Sequence, residues 1–248
     1  MNLSINSNSE HGGRFGNLFF TGMALHFIAI KNNLKCTYKQ ADIFQNLGID
    51  FYIDGKYLHK HTIKLTDKNF FQYVTDTPLV NTSLTINNDV WCQTREFAKY
   101  LRDYFNHDEN KNKIISSNKH ASRYNANNDL CVHVRLGDIA NREFVQPFEY
   151  YDNAISKIQF DSGFITSDSP KHPICEKLAE KYNLKVITYD IYETIQFMST
   201  CKHIVLSSGT FSWLIGLFGF FSNISYPNMK IRWHGDIFIF NDWTCIDY

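Results

Sequence analysis

Leu130-Cys131-Val132-His133-Val134-Arg135-Leu136-Gly137-Asp138 decides how this chain is read. Its first five residues are a short apolar run, the type that fills a strand covered on both faces. Gly137 and Asp138 then end it in a turn. The same grammar repeats downstream. Residues 148–158 have helical spacing. Gly163 to Thr166 reads as a strand, closed by Ser167-Asp168-Ser169-Pro170 and followed by a helix to about Tyr182. Lys185 to Tyr189 reads as a strand and Tyr192 to Cys201 as a helix. His203 to Leu206 is a further strand, and Ser207-Ser208-Gly209 leads into a helix starting near Thr210. Strands alternating with helices predict βαβ units, hence a parallel sheet and an α/β fold. Ligands of such sheets sit at the carboxyl ends of the strands. Here the polar turns occupy those ends.

Towards the amino terminus the pattern is sparser. Residues 3–5 suggest a very short strand, Gly12 to Asn17 a glycine-rich turn, and Leu18 to Lys31 a helix with apolar residues at helical spacing. Cys36 to Tyr38 suggests a second strand. Residues 42–85 are short alternating pieces that resist assignment. Gln93 to Phe105 is an amphipathic helix with Phe97, Leu101 and Phe105 on one stripe. Residues 106–128 are polar and rich in Asn. They hold the expected boundary between an amino-terminal, acceptor-side domain (1–125) and a carboxyl-terminal, donor-binding domain (126–248).

Composition narrows the function. The chain has 248 residues, 25 Lys and Arg against 25 Asp and Glu. With no dense basic run, it lacks the electrostatic footprint of a nucleic-acid or anionic-membrane binder. No apolar run is long enough to span a bilayer, and the polar amino terminus lacks a signal-peptide core, so a soluble, cytoplasmic protein is expected. The six cysteines are scattered without a C-x-x-C pair, which predicts reduced, half-buried thiols rather than a zinc site or disulfide framework. His59 and His61 alternate as on an exposed strand face, and no other candidate ligands cluster beside them. The chain is rich in aromatic residues, mostly core fillers; Trp91, Tyr100 and Tyr104 could stack on sugar rings, but packing is the plainer role.

Three turns carry chemistry. On a strand, His133 and Arg135 share one face. A guanidinium there is the best side chain for two-pronged bonds to phosphate oxygens, and it would stabilise negative charge growing on a diphosphate leaving group. Spacing alone leaves an Arg135–Asp138 surface ion pair equally open. The second turn, Ser207 to Ser212, opens a helix, whose unpaired amino-terminal N–H groups attract anions. Plain N-capping by Ser208 or Thr210 would suit the same residues. In the third, Gly12 to Asn17, glycines permit close backbone approach. Its spacing matches neither a dinucleotide fingerprint nor a P-loop. No Asp-x-Asp occurs anywhere in the chain, so no motif of the kind that holds a sugar diphosphate through a metal is present.

Together the motifs resemble a known family. His133 to Asp138 is similar to the H-x-R-x-G-D element of the α-1,2-fucosyltransferases and their α-1,6 and protein O-fucosyltransferase relatives. Glu193 to Trp213 resembles the final helix–strand–S-N-S-T-F-S-W block of the α-1,2 family. Gly163 to Asp168 resembles its middle element and Gly12 to Asn17 its opening G-G-x-G-N. The order is the family's own, whereas residues 40–125 match none of its motifs. The resemblance implies a GT-B fold of two facing Rossmann-like domains, with inverting, metal-independent transfer from a nucleotide sugar, GDP-fucose foremost, to a glycan acceptor. It needs no cofactor or metal. It places Arg135 and His133 on the donor diphosphate and Ser167 and Asp168 beside the base or ribose. Ser207, Ser208, Thr210, Phe211 and Ser212 would cradle phosphate or fucose, and Gly16 and Asn17 would reach the phosphates from the other domain. Leu136, Ser208, Gly209 and Leu214 depart from the family's usual residues. They open the donor to another nucleotide sugar such as UDP-xylose.

Inverting transfer needs a base for the acceptor hydroxyl. Glu143, eight residues past Arg135, resembles the proposed base of the α-1,6 enzymes and is preferred; Asp138 is the other candidate, or would orient Arg135. Two further readings stand beside the enzyme: a non-catalytic nucleotide- or glycan-binding module that kept the fold, and an ordinary Rossmann-type nucleotide enzyme.

Overall fold

The computed structural model describes residues 5–6, 14–87, 89–137, 144–229 and 236–248. These form two units. One runs to Leu101 and includes Asp236 and Ile237; the other begins at Arg102 and includes Phe238–Tyr248.

The first unit opens with β1 (Ile5–Asn6), α1 (Phe15–Asn32) and β2 (Cys36–Thr37), with β1 and β2 parallel. A strand and a helix were expected here, but Phe15–Asn17, read as part of the glycine-rich turn, already belong to α1. Helix α1 is buried along almost its whole length, because apolar residues occupy nearly every turn. It stops at Asn33, whose left-handed backbone (φ 52°) sends its N–H back to the Ala29 carbonyl. After α2 (Ala41–Asn46) comes a second βαβ unit that the sequence left unassigned. It consists of β3 (His61–Leu65), α3 (Phe70–Thr75) and β4 (Thr82–Ile86), with the strands parallel. The core is aromatic. Phe15 stacks on Phe44 at 4.5 Å, and Phe97 meets Phe20, Phe27 and Phe70 edge-on. Tyr100 packs in the same cluster, against Phe27 and Phe71.

Helix α4 (Arg95–Asn106) carries Phe97, Leu101 and Phe105 as its buried stripe. The division between units falls within it, at 101/102 rather than at the expected 125/126. Residues beyond it are anchored to the second unit. After α5 (Asp108–Ser117), Asn118 donates to the Gln196 carbonyl (2.8 Å), Arg123 pairs with Asp129 (2.7 Å), and the Tyr124 and Ser199 hydroxyls lie 3.0 Å apart.

The second unit is built on β5 (Leu130–Val134), α6 (Phe148–Ile155), β6 (Gly163–Ser167), α7 (Pro173–Tyr182) and β7 (Leu184–Val186). It continues through α8 (Ile191–Met198), β8 (His203–Val205), α9 (Thr210–Phe218), β9 (Asn223–Pro227) and β10 (Thr244–Ile246). Its six strands lie in the order β10-β9-β8-β5-β6-β7, every neighbouring pair parallel. All five residues of β5 are buried, as a central parallel strand demands. Register sets Val134 beside Ser167 and Val132 beside Val205. Trp213 is fully buried and meets Phe240.

The six cysteines are free. Five are more deeply buried than expected, and Cys245 is exposed. His61 lies on an exposed stretch of β3, and His59 stacks on Tyr57. Among the described residues no helix is long and apolar enough to cross a membrane.

Candidate active site

The chain leaves β5 towards β6 and β7 on one side, then returns to the other side of β5 as β8. That reversal is the topological switch point, where an open α/β sheet leaves a crevice at its carboxyl edge. Arg135 follows β5, Asp168 follows β6, and Ser207–Gly209 follow β8, so the predicted turns meet at one edge.

Arg135 is held rather than waving in solvent; its side chain is only 13% exposed. Its Nη1 pairs with Asp168 Oδ2 and donates to the Leu136 carbonyl at 3.3 Å. The other carboxylate oxygen of Asp168 accepts from the Leu136 N–H at 2.9 Å. Register explains the contact, since Val134 and Ser167 are partners and the chain's next residues emerge side by side. Gly137 completes the turn with φ +40°, and a Cβ there would collide with the Asp168 carboxylate and lie 2.8 Å from Arg135 Nη1. Among the described residues Arg135 thus pairs with Asp168. Asp138 and Glu143, together with Gly12 and Gly13, lie outside the described residues. Ser167 spends its hydroxyl locally, accepting from the Ser169 N–H at 3.0 Å.

His133 lies beneath this surface. It is buried, 5.3 Å from the Phe211 ring, with Nδ1 2.6 Å from Ser212 Oγ. Burial lowers its pKa to about 4; the Asp168 carboxylate opposes that shift and Arg135 adds to it. The imidazole is thus neutral at physiological pH, and its visible task is to fix Ser212 in the first turn of α9. The consequence for stability has a definite sign. The unfolded chain would bind a proton near pH 6.5, whereas the folded protein waits until about 4. The contribution is fully present above about pH 6.5 and is lost as pH falls towards 4, on the order of 3 kcal/mol in all. Denaturant unfolding at pH 7 and pH 4.5 is expected to show a smaller loss for His133→Gln than for the natural chain; equal losses would refute the assignment.

The turn after β8 is built from inward-facing hydroxyls. Ser207 is fully buried and accepts from Tyr151 Oη at 3.1 Å. Ser208 donates to the Phe144 carbonyl at 3.3 Å, and Ser212 donates to the Ser208 carbonyl at 3.4 Å. Neither Ser208 nor Thr210 is the N-cap of α9; that residue is Gly209, which makes no side-chain cap bond. Its φ of +99° calls for glycine, although a Cβ there would meet nothing within 4 Å. The first turn of α9, at Thr210, Phe211 and Ser212, thus opens at the same edge as Arg135, behind a glycine that supplies no capping side chain. A guanidinium and a helix amino terminus on one edge suit an anion of diphosphate type.

Gly16 and Asn17 belong to the first unit, in the opening turn of α1. There Asn17 Oδ1 accepts from Gln93 Nε2 at 3.0 Å. Sequence reasoning passed over Gln93, and likewise Tyr150 and Tyr151. Buried tyrosine hydroxyls require partners, so a Tyr-Tyr pair just past the Arg turn was the available signal. Among the described residues no group of three or more His, Cys, Asp or Glu side chains is gathered as a metal ion would require.

A family model, Glycosyl transferase family 11, matches residues 55–219, about two thirds of the chain, from before β3 to the end of α9. No curated protein and no solved structure matches the chain significantly. The matched span contains the Arg135 turn, Asp168 and the Ser207–Ser212 turn. The chain therefore belongs to glycosyl transferase family 11, the α-1,2-fucosyltransferase family, and is a fucosyltransferase-like glycosyltransferase.

Proposed function

We propose that the protein is an inverting, metal-independent transferase of the GT-B kind, which moves L-fucose from GDP-fucose to a glycan hydroxyl. The observation that carries this is Arg135, fixed at the carboxyl end of β5, on the same sheet edge as the start of α9 at the switch point. As the glycosidic C1–O bond breaks, its electron pair passes to the diphosphate oxygen, and a placed guanidinium stabilises that charge more in the transition state than before it. The acceptor hydroxyl attacks C1 from the opposite face and gives its proton to a base, for which Glu143 is the candidate and Asp138 the alternative. Asp168 keeps the guanidinium in place, and His133 does the same for Ser212.

A nucleotide panel tests the donor. A ligand that binds only the native state raises the melting temperature with its concentration. GDP and GDP-fucose are expected to raise it by several degrees, equally with and without EDTA. A rise with UDP and UDP-xylose alone would keep the mechanism and replace the donor, a rise that EDTA removes would overturn the metal-independent route, and no rise with any nucleotide would favour a non-catalytic module.

A further inference from the structure

The first unit gathers polar groups at its own strand ends. Asn17 opens α1, the helix after β1; Asp67 lies between β3 and α3; Trp91, Cys92 and Gln93 lie between β4 and α4. Each stands past the carboxyl end of a strand, where α/β sheets take their ligands. Asp67 pins the turn after β4. Its Oδ1 accepts from the Trp91 N–H at 2.9 Å and from the Cys92 N–H at 2.6 Å. Cys92 is buried there at φ 55°, a left-handed backbone that is costly for a residue with a Cβ. Strain of this kind clusters where a binding site is being shaped.

What the turn achieves is the placement of Gln93, which is only 4% exposed. Its Nε2 donates to Asn17 Oδ1 at 3.0 Å, across 76 residues of sequence. Its Oε1 is buried and bonds no described residue. An amide buried with its carbonyl unpaired lowers stability, so stability is not what the position serves. Its one bond orients Asn17. With Oδ1 turned to Gln93, the planar amide of Asn17 points its N–H2 group away from Gln93. Asn17 is half-buried, so it is the member of the pair that reaches the surface. Both amides are neutral, and Asp67 puts a carboxylate behind the turn. Such a setting suits a sugar hydroxyl and disfavours a phosphate.

We propose that Gln93 is a positioning residue for the acceptor sugar, turning the Asn17 N–H2 group towards one of its hydroxyl oxygens. This rests on the proposed transfer to a glycan, whose donor half GDP binding tests separately.

The test uses the natural chain, Gln93→Met, Asn17→Ala and the double variant. Methyl glycosides of galactose, glucose, mannose and N-acetylglucosamine are titrated by saturation-transfer NMR, with and without GDP. GDP affinity is measured by calorimetry, and melting temperatures are recorded in parallel. Gln93→Met is expected to weaken the best glycoside about tenfold and to leave GDP affinity within about twofold. Its melting temperature is expected to hold or rise, because Met fills the space and removes the unpaired carbonyl. In the Asn17→Ala background the same change is expected to cost less than about twofold, because the group it orients is gone. Equal losses in both backgrounds, unaltered glycoside binding, or a fall in GDP affinity with Gln93→Met would each overturn the proposal. Should Gln93→Met not fold, Asn17→Asp keeps an acceptor for Gln93 Nε2 and removes only the N–H2 group; unchanged glycoside affinity there overturns it as well. If GDP binds and no glycoside does, this inference fails while the donor reading stands; if neither binds, both fail.

Discussion

Arg135→Ala is expected to lower kcat with saturating donor by about 10²–10³-fold, the cost of removing one preorganised donor aimed at developing negative charge. The surroundings of Arg135 indicate why the effect should be large. The guanidinium reaches the site already oriented by Asp168, and Asp168 is itself anchored by the Leu136 N–H. Little orientation remains to be achieved in the transition state. A guanidinium has five N–H donors in a planar fork, so one side chain can serve Asp168 and a phosphate together. Truncation also strips the carboxylate of its positive partner and leaves it beside the phosphates, adding repulsion. Arg135→Lys is expected to recover little, because an ammonium cannot replace the planar fork that serves carboxylate and phosphate together. Steady-state kinetics at saturating acceptor, with unfolding curves to show that the variants are folded, provide the check. A kcat within tenfold of the natural chain would remove Arg135 from the role.

How much of this was visible beforehand depended on burial. The central strand β5 spans the residues expected, because a strand covered on both faces has to be a continuous apolar run. At the sheet edges that signal fades. Strand β7 begins at Leu184, the one residue of the strand that turns inward, and ends at Val186, which is exposed; the expected strand was Lys185 to Tyr189. Strands β9 and β10 went unread, since Asn223–Pro227 mixes Asn, Ser and Pro with its apolar residues and Thr244–Ile246 is three residues long. In the first unit, β3 is too exposed and α3 too short to impose a period. The site divides in the same way. Arg135 and the Ser207–Ser212 turn were legible because they end strands. The pairing of Arg135 with Asp168 was not, because it depends on strand register. The bond from Tyr151 to Ser207 depends on the fold in the same way, since the two residues come from separate elements.

Glu143→Gln is expected to lower turnover by at least about 100-fold, within the 10²–10⁴ range for loss of a general base. Glu143 lies outside the described residues, and the expectation comes from the chemistry and from its flanks. It immediately precedes Phe144, whose carbonyl accepts from Ser208 Oγ and from Gln146 Nε2. Glu143 is thus one peptide bond from a residue tied to the turn that opens α9, while Asp138 directly follows Gly137. Single substitutions separate the two carboxylates. A base acts on the acceptor, so Glu143→Gln should leave GDP affinity within about twofold while kcat falls, the signature of an interaction made only in the transition state. Asp138→Asn, if it merely orients Arg135, should weaken GDP binding instead. Turnover by Glu143→Gln near that of the natural chain, with Asp138→Asn losing kcat at unchanged GDP affinity, would transfer the role to Asp138. Normal turnover by both would mean that the acceptor hydroxyl attacks without a carboxylate base, as an oxocarbenium-like centre at C1 permits.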